Sequence, residues 1–154
     1  MKLIIATAVA TVLGATVAMA DGHSSSTAPQ DVAFEDGAVA ASVSGNAGDA
    51  AVGREVFANR KLGNCLACHV NSEMPEQSFH GEVGPALDGA GSRWSEAELR
   101  GIVANSKQTF EDTIMPGFYV DSGLFRPLKG FEDASILTAQ QVEDVVAYLQ
   151  TLKE

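Results

Sequence analysis

Cys65-Leu66-Ala67-Cys68-His69 constrains this chain more than any other stretch of it. A C-x-x-C-H run is the attachment signature of c-type haem. Two thiols one turn apart each add to a vinyl group of the same porphyrin, and the histidine that follows falls beneath the ring, where an imidazole nitrogen ligates the iron. A structural zinc site needs about four ligands, but the chain has only 2 cysteines, and its remaining histidines, His23 and His80, are badly spaced for the task. A thioredoxin-like pair belongs in a βαβ setting, whereas these flanks read as helical and glycine-punctuated. A disulfide between the two would close too small a loop to stabilise much. The expected cofactor is one covalent haem c, anchored by Cys65 and Cys68 with His69 as proximal ligand.

Residues 1–20 support that assignment, because haem of this type is attached outside the cytoplasm. Lys2 supplies a positive start, Leu3 to Val17 is apolar and broken only by small residues, and Ala18-Met19-Ala20 is an A-x-A cleavage site. A spanning helix needs about twenty predominantly apolar residues. This run is shorter and ends in a processing site, so it reads as a signal peptide that is removed, leaving a periplasmic protein with no membrane span. Its loss takes away one lysine and no acid, leaving the chain even more acidic than the net −10 of the full sequence. Nucleic acid and anionic membrane are thereby disfavoured as partners.

Residues 21–48 are built from Ser, Ala, Gly and Asp, and their apolar members (Val32, Phe34, Val39, Val43) follow no helical period. Such composition predicts an extended N-terminal arm outside the compact core. Val32 and Phe34 are the residues that would pin it, either to its own domain or to a partner. Residues 49–154 read as an all-α domain with long loops. Asp49 caps a helix with Val52, Val56 and Phe57 on one face, and Gly63 stops it. Ser95-Glu96-Ala97-Glu98 is a capping box opening a helix with Leu99, Ile102 and Val103 inward, and Thr138-Ala139-Gln140-Gln141 is a second. The latter helix carries Val142, Val145, Val146, Leu149 and Leu152 in a single apolar stripe.

A haem iron needs its sixth position explained. Met1 and Met19 leave with the leader, so the candidates are Met74, Met115 and His80. Met74 follows His69 so closely that, at about 3.4 Å per residue, the chain barely passes around a porphyrin edge. Met115 lies far downstream in Thr113-Ile114-Met115-Pro116-Gly117-Phe118, where Pro116 denies a backbone donor and holds Met115 extended, as suits a loop laid across a ring. His80 also reaches and would give bis-histidine iron, but a lone histidine between flexible neighbours is more often solvated. Met115 is the preferred ligand. A thioether opposite imidazole favours the ferrous state, and with both axial positions filled the iron is expected to carry electrons and not small ligands.

The C-x-x-C-H run after a Gly53-x-x-x-Phe57 helix, the Gly84-Pro85-x-Leu87 turn, the Met115-Pro116-Gly117 loop and the closing helix with Tyr148 resemble the class I cytochrome c fold. More narrowly, Gly81-Glu82-Val83-Gly84-Pro85, Ile114-Met115-Pro116-Gly117-Phe118-Tyr119 and the run from Leu137 to Leu149 are similar to the SoxX subunit of the SoxAX sulfur-oxidation cytochrome. The likeness runs from about Gly53 to the end of the chain. It implies that Met115 ligates iron and that Pro85 lies near the proximal histidine. It also implies an activity: SoxAX, an L-cysteine S-thiosulfotransferase, oxidatively couples thiosulfate to a cysteine of the carrier protein SoxYZ. The catalytic haem belongs to the SoxA partner, a monohaem or dihaem cytochrome, and this chain alone only transfers electrons, ultimately to a downstream acceptor cytochrome. No catalytic residue is expected here, since both cysteines are committed to haem.

Other residues carry weaker signals. Trp94 and Arg93 are donors that suit a haem propionate, with core packing and a surface charge as the plainer readings. Arg54, Arg60 and Lys61 precede the motif and suit either a docking rim or a solvated helix face. Phe118, Tyr119, Phe125 and Phe131 follow Met115 in a long loop with Arg126 and Lys129, a mixture that partner surfaces favour. Two functions compete: a subunit that depends on a haem-bearing partner, and a free periplasmic electron carrier. The first predicts a large apolar patch, the second only a charged rim.

Overall fold

The computed structural model describes residues 25–154; the predicted leader and its cleavage site lie outside the described residues. Among the described residues four α-helices form: α1 (Ala50–Ala58), α2 (Ala90–Arg93), α3 (Glu96–Asn105) and α4 (Ala139–Thr151). Among the described residues no strand forms, and the one β-type pairing is an isolated bridge between Glu35 and Ala38. No helix among them is long and apolar enough to cross a membrane.

α4 is the spine, and the other three helices pack against it. Its predicted stripe is buried throughout, with Val142, Val145, Val146, Leu149 and Leu152 all in the core. α1 crosses α4 at Gly53. A Cβ at that position would lie 1.8 Å from the Asp144 carbonyl oxygen, so only glycine lets the two backbones approach this closely. One turn on, Phe57 meets Tyr148 edge to face with ring centres 5.4 Å apart.

The caps form as their chemistry predicts. The Asp49 carboxylate accepts from the N–H groups of Ala51 and Val52 at 2.8 and 3.2 Å, and both capping boxes close reciprocally. Three details differ from the sequence reading. Val52 is 43 % exposed, because α1 turns Gly53, Val56 and Phe57 inward instead. α1 stops at Asn59, well before Gly63. The short α2 carries no periodic signal; its start at Gly89 needs a left-handed backbone (φ +69°), and Gly91 brings it against the last carbonyls of α4.

The larger correction concerns the arm. Composition places residues 21–48 outside the core, yet Val39 and Val43 are fully buried in it, with Val32 and Phe34 packed alongside. A buried ion pair is the reason. Arg100 of α3 donates from Nε to both carboxylate oxygens of Glu143 of α4 at 3.0 Å, and from Nη1 to the Val39 carbonyl at 2.9 Å. Glu143 in turn accepts from the Val43 N–H at 2.7 Å, and Glu96 takes the remaining guanidinium edge. Both members of the pair are almost wholly buried, so their charges are satisfied by each other and by the backbone of the arm. Further along, the Val39 N–H donates to Ala97 and the Tyr119 hydroxyl to Thr27. From residue 25 onward the arm is fastened to its own domain.

Removing one partner of a buried pair strands the other charge. Glu143→Ala should therefore cost about 3–5 kcal/mol in denaturant unfolding of the haem-loaded protein and should open the stretch from Val32 to Val43 to proteolysis. Arg54→Ala, which breaks an exposed pair with Glu76, should cost less than about 1 kcal/mol. Equal effects would contradict the structural role given to Glu143.

Candidate functional site

The Cys65–Ala67 segment is a single tight turn entered through Asn64, whose backbone is left-handed (φ 49°). Leu66 is buried and Cys65 packs against the core, so the turn is held at its centre. The N–H groups of Cys68 and His69 both donate to the Cys65 carbonyl, at 3.1 and 3.0 Å. A following loop returns along the motif through Gly81 N–H to Leu66, Gly84 N–H to Cys68 and Leu87 N–H to Val70. Gly81 must be glycine, since a Cβ there would meet the Ala67 carbonyl oxygen at 2.1 Å.

His69 lies in the mouth of that loop. A Cβ on Gly84 would stand 2.3 Å from its ring, so the imidazole rests on bare backbone. Its Nδ1 lies 2.7 Å from the Pro85 carbonyl oxygen. A carbonyl only accepts, so Nδ1 carries the proton and Nε2 keeps its lone pair, the tautomer a metal-ligating histidine needs. The expectation that Pro85 sits beside the proximal histidine takes this form: its carbonyl orients the ring. Burial pushes the Cys65 thiol up to about 12, and Cys68 adds in the same direction. A reactive dithiol requires the opposite. Two neighbouring thiols, an imidazole with a free Nε2 and a glycine cradle fit a c-type haem, which Cys65 and Cys68 would anchor and His69 would ligate.

The other two candidate ligands, Met74 and His80, are engaged within the protein. Met74 is completely buried in the core. His80 accepts the Asn71 N–H at Nδ1, 3.3 Å away, and its Nε2 lies 3.2 Å from the Met74 carbonyl oxygen. The carbonyl demands a proton on Nε2, so a neutral His80 has no lone pair left for a metal. Asn71, itself fully buried, donates from its side chain to the Tyr148 hydroxyl at 2.9 Å and ties this loop to α4.

Met115 is partly buried against the core. Its loop hangs from the end of α3: Phe118 and Tyr119 donate their N–H groups to Val103 and Ala104 at 3.2 and 3.0 Å, satisfying carbonyls that a helix end leaves unpaired. The Met115 carbonyl accepts from Ser106 Oγ and from Lys107 Nζ, each at 2.8 Å. Sequence reasoning singled out neither residue. Their only signal was position, directly after the helix on which the loop is hung.

Trp94 is partly buried and meets Phe110 edge to face at 6.0 Å. Arg93 donates to the carbonyls of Ala86 and Asp88 at 3.1 and 2.5 Å, which anchors the chain just after Pro85. Arg54 is likewise engaged, with the Glu73 carbonyl and the Glu76 carboxylate, while Arg60 and Lys61 are exposed. Of the aromatics after Met115, Phe118 and Tyr119 are core and Phe131 is intermediate, but Phe125 is 91 % exposed.

Comparison with known proteins agrees with this geometry. The family model "Cytochrome c" matches residues 50–153. A search of the curated proteins finds no match. Among solved structures, a chain of SoxXA from P. pantotrophus superimposes with a TM-score of 0.80 at 51% sequence identity, covering 84% of this chain and 99% of that one. This chain, with helices and no strands among its described residues, a C-x-x-C-H turn and an oriented histidine, belongs to the cytochrome c family, and within it to the SoxX kind.

Proposed function

We propose that the chain is the electron-accepting monohaem subunit of a periplasmic SoxAX-type complex, which couples thiosulfate to a cysteine of a SoxYZ-like carrier protein. The observation that carries this reading is the likeness to a SoxXA chain over nearly that chain's whole length. Bound through Cys65 and Cys68, a c-type haem supplies a one-electron couple. His69 offers Nε2 because Pro85 holds the proton on the other nitrogen. Met115, on its suspended loop, would offer a thioether as the second protein ligand.

The division of labour follows from what the chain lacks once loaded. Both of its cysteines are consumed, so no thiol remains to attack sulfur. Joining two reduced sulfurs removes two electrons, and a single one-electron centre accepts one. The second redox centre and the sulfur chemistry therefore fall to a SoxA-like haem partner, and this chain hands electrons on to an acceptor cytochrome. The loop of residues 121–135 suits the contact with that partner: Phe125 is 91 % exposed, Leu128 77 % and Leu124 43 %, with Arg126 and Lys129 beside them. Large apolar side chains clustered on one exposed loop mark an interaction surface. Val32 and Phe34 are a poorer choice, since they pack on their own domain. Trp94 is proposed only as a residue lining the cofactor.

Acid-acetone should fail to extract haem from the purified chain, and a denaturing gel should retain haem stain at its mass; zinc in place of iron would end this reading. Met115→Ala should abolish the weak near-infrared sulfur-to-iron band of the ferric protein and lower its potential, while Met74→Ala leaves both unchanged. A low-spin spectrum perturbed by His80→Ala and not by Met115→Ala would mean bis-histidine iron. Mixed with a SoxA-like haem subunit, thiosulfate and carrier, the chain should support carrier modification only when that subunit is present, and Phe125→Asp should weaken the complex by at least tenfold, the effect of removing about 1.4 kcal/mol of contact. Full activity without the subunit, or a chain that stays monomeric in its presence, would favour a free electron carrier.

A further inference from the structure

We infer that Ser106 and Lys107 are positioning residues that clamp the carbonyl of Met115 and so set how firmly its thioether holds the iron. The inference rests on the reading of Met115 as distal ligand and assigns work to two residues that neither motif nor family name singles out.

The geometry is that of a tether on both sides of one residue. On the C-terminal side, the Met115 carbonyl receives Ser106 Oγ and Lys107 Nζ, both at 2.8 Å. On the N-terminal side, the Met115 N–H donates to Thr113 Oγ1 at 3.2 Å, and Lys107 Nζ also donates to the Thr113 carbonyl. Pro116 adds no donor and narrows the conformations open to Met115. Ser106 is completely buried, so its hydroxyl has no water to turn to and is committed to the Met115 carbonyl and, more loosely, to that of Pro116 at 3.5 Å. Lys107 is itself fixed at its root, where its N–H donates to Asn105 Oδ1 at 3.2 Å.

The two donors act differently. The serine bond is short, neutral and dry, and it holds the loop in place. The lysine bond brings a full positive charge onto the backbone of the ligand itself. A cation there favours the electron-rich ferrous state and raises the reduction potential. Because the Lys107 side chain is exposed, salt screens this influence.

The test uses the full haem-loaded chain with Ser106→Ala, Lys107→Gln, Lys107→Arg and Met115→Ala. Three readouts are followed: the near-infrared band, the affinity of the ferric protein for imidazole, and the potential at low and at about 1 M salt. Met115→Ala should lose the band outright. Ser106→Ala should raise imidazole affinity about tenfold, the factor for one hydrogen bond lost from the clamp. Lys107→Gln should raise it likewise and lower the potential, with that fall shrinking in high salt, while Lys107→Arg keeps the wild-type values. Lys107 lies on the surface, so its variants fold and decide the matter even if Ser106→Ala does not. If Met115→Ala loses the band but Lys107→Gln changes neither imidazole affinity nor potential, the clamp is overturned and the ligand assignment stands. If Met115→Ala keeps the band, the ligand assignment fails first and the clamp with it.

Discussion

The hydrogen bond from His69 Nδ1 to the Pro85 carbonyl, 2.7 Å long, is the contact on which the use of this fold depends. An imidazole has two nitrogens and only one suitable tautomer for binding metal at Nε2. The carbonyl makes that choice, and the absence of a side chain at Gly84 gives the ring room to take it up. Much of the surrounding structure serves to deliver Pro85. The loop from Gly81 to Leu87 is bonded back onto the cysteine turn, and Arg93 grips the carbonyls of Ala86 and Asp88 just beyond. Second-sphere groups of this kind commonly change metal affinity by ten- to a hundredfold when removed.

The Met115 loop is built on another principle. Met115 sits on a long loop, and long loops have many conformations to lose. The end of α3 removes that freedom by lending its unpaired carbonyls, a buried serine and a lysine to the loop. One helix terminus thus does for the thioether what a proline carbonyl does for the imidazole. Behind both, the Arg100–Glu143 pair locks α3 to α4 and binds the arm across them. Replacing such a pair with apolar residues need not weaken a protein, but breaking one side of it does.

Local chemistry made much of this legible in the sequence. The cysteine turn, both capping boxes, the α4 stripe and the glycine-proline turn each depend on neighbouring residues, and each formed where the residue types demanded. What was not legible depends on distant pairs. Nothing local marks Arg100 and Glu143 as a buried pair before α3 and α4 are packed, and the burial of Val39 and Val43 depends on that pair. The same holds for His80, whose lack of a free lone pair follows only from the positions of Asn71 and Met74. Val52 shows a further limit. The period places it near the apolar face, but the close crossing at Gly53 decides which way α1 turns.

A protein arranged this way is suited to passing single electrons and ill suited to binding small molecules. On the proposed reading His69 and Met115 would together fill the axial positions, leaving a loaded chain no vacancy at iron. Carbon monoxide offered to the reduced, haem-loaded chain separates a closed iron from an open one in a single spectrum. The ferrous spectrum should remain unchanged under saturating gas, while Met115→Ala shifts at once. A carbon monoxide adduct on the unaltered chain would contradict the closed, electron-carrying site described here.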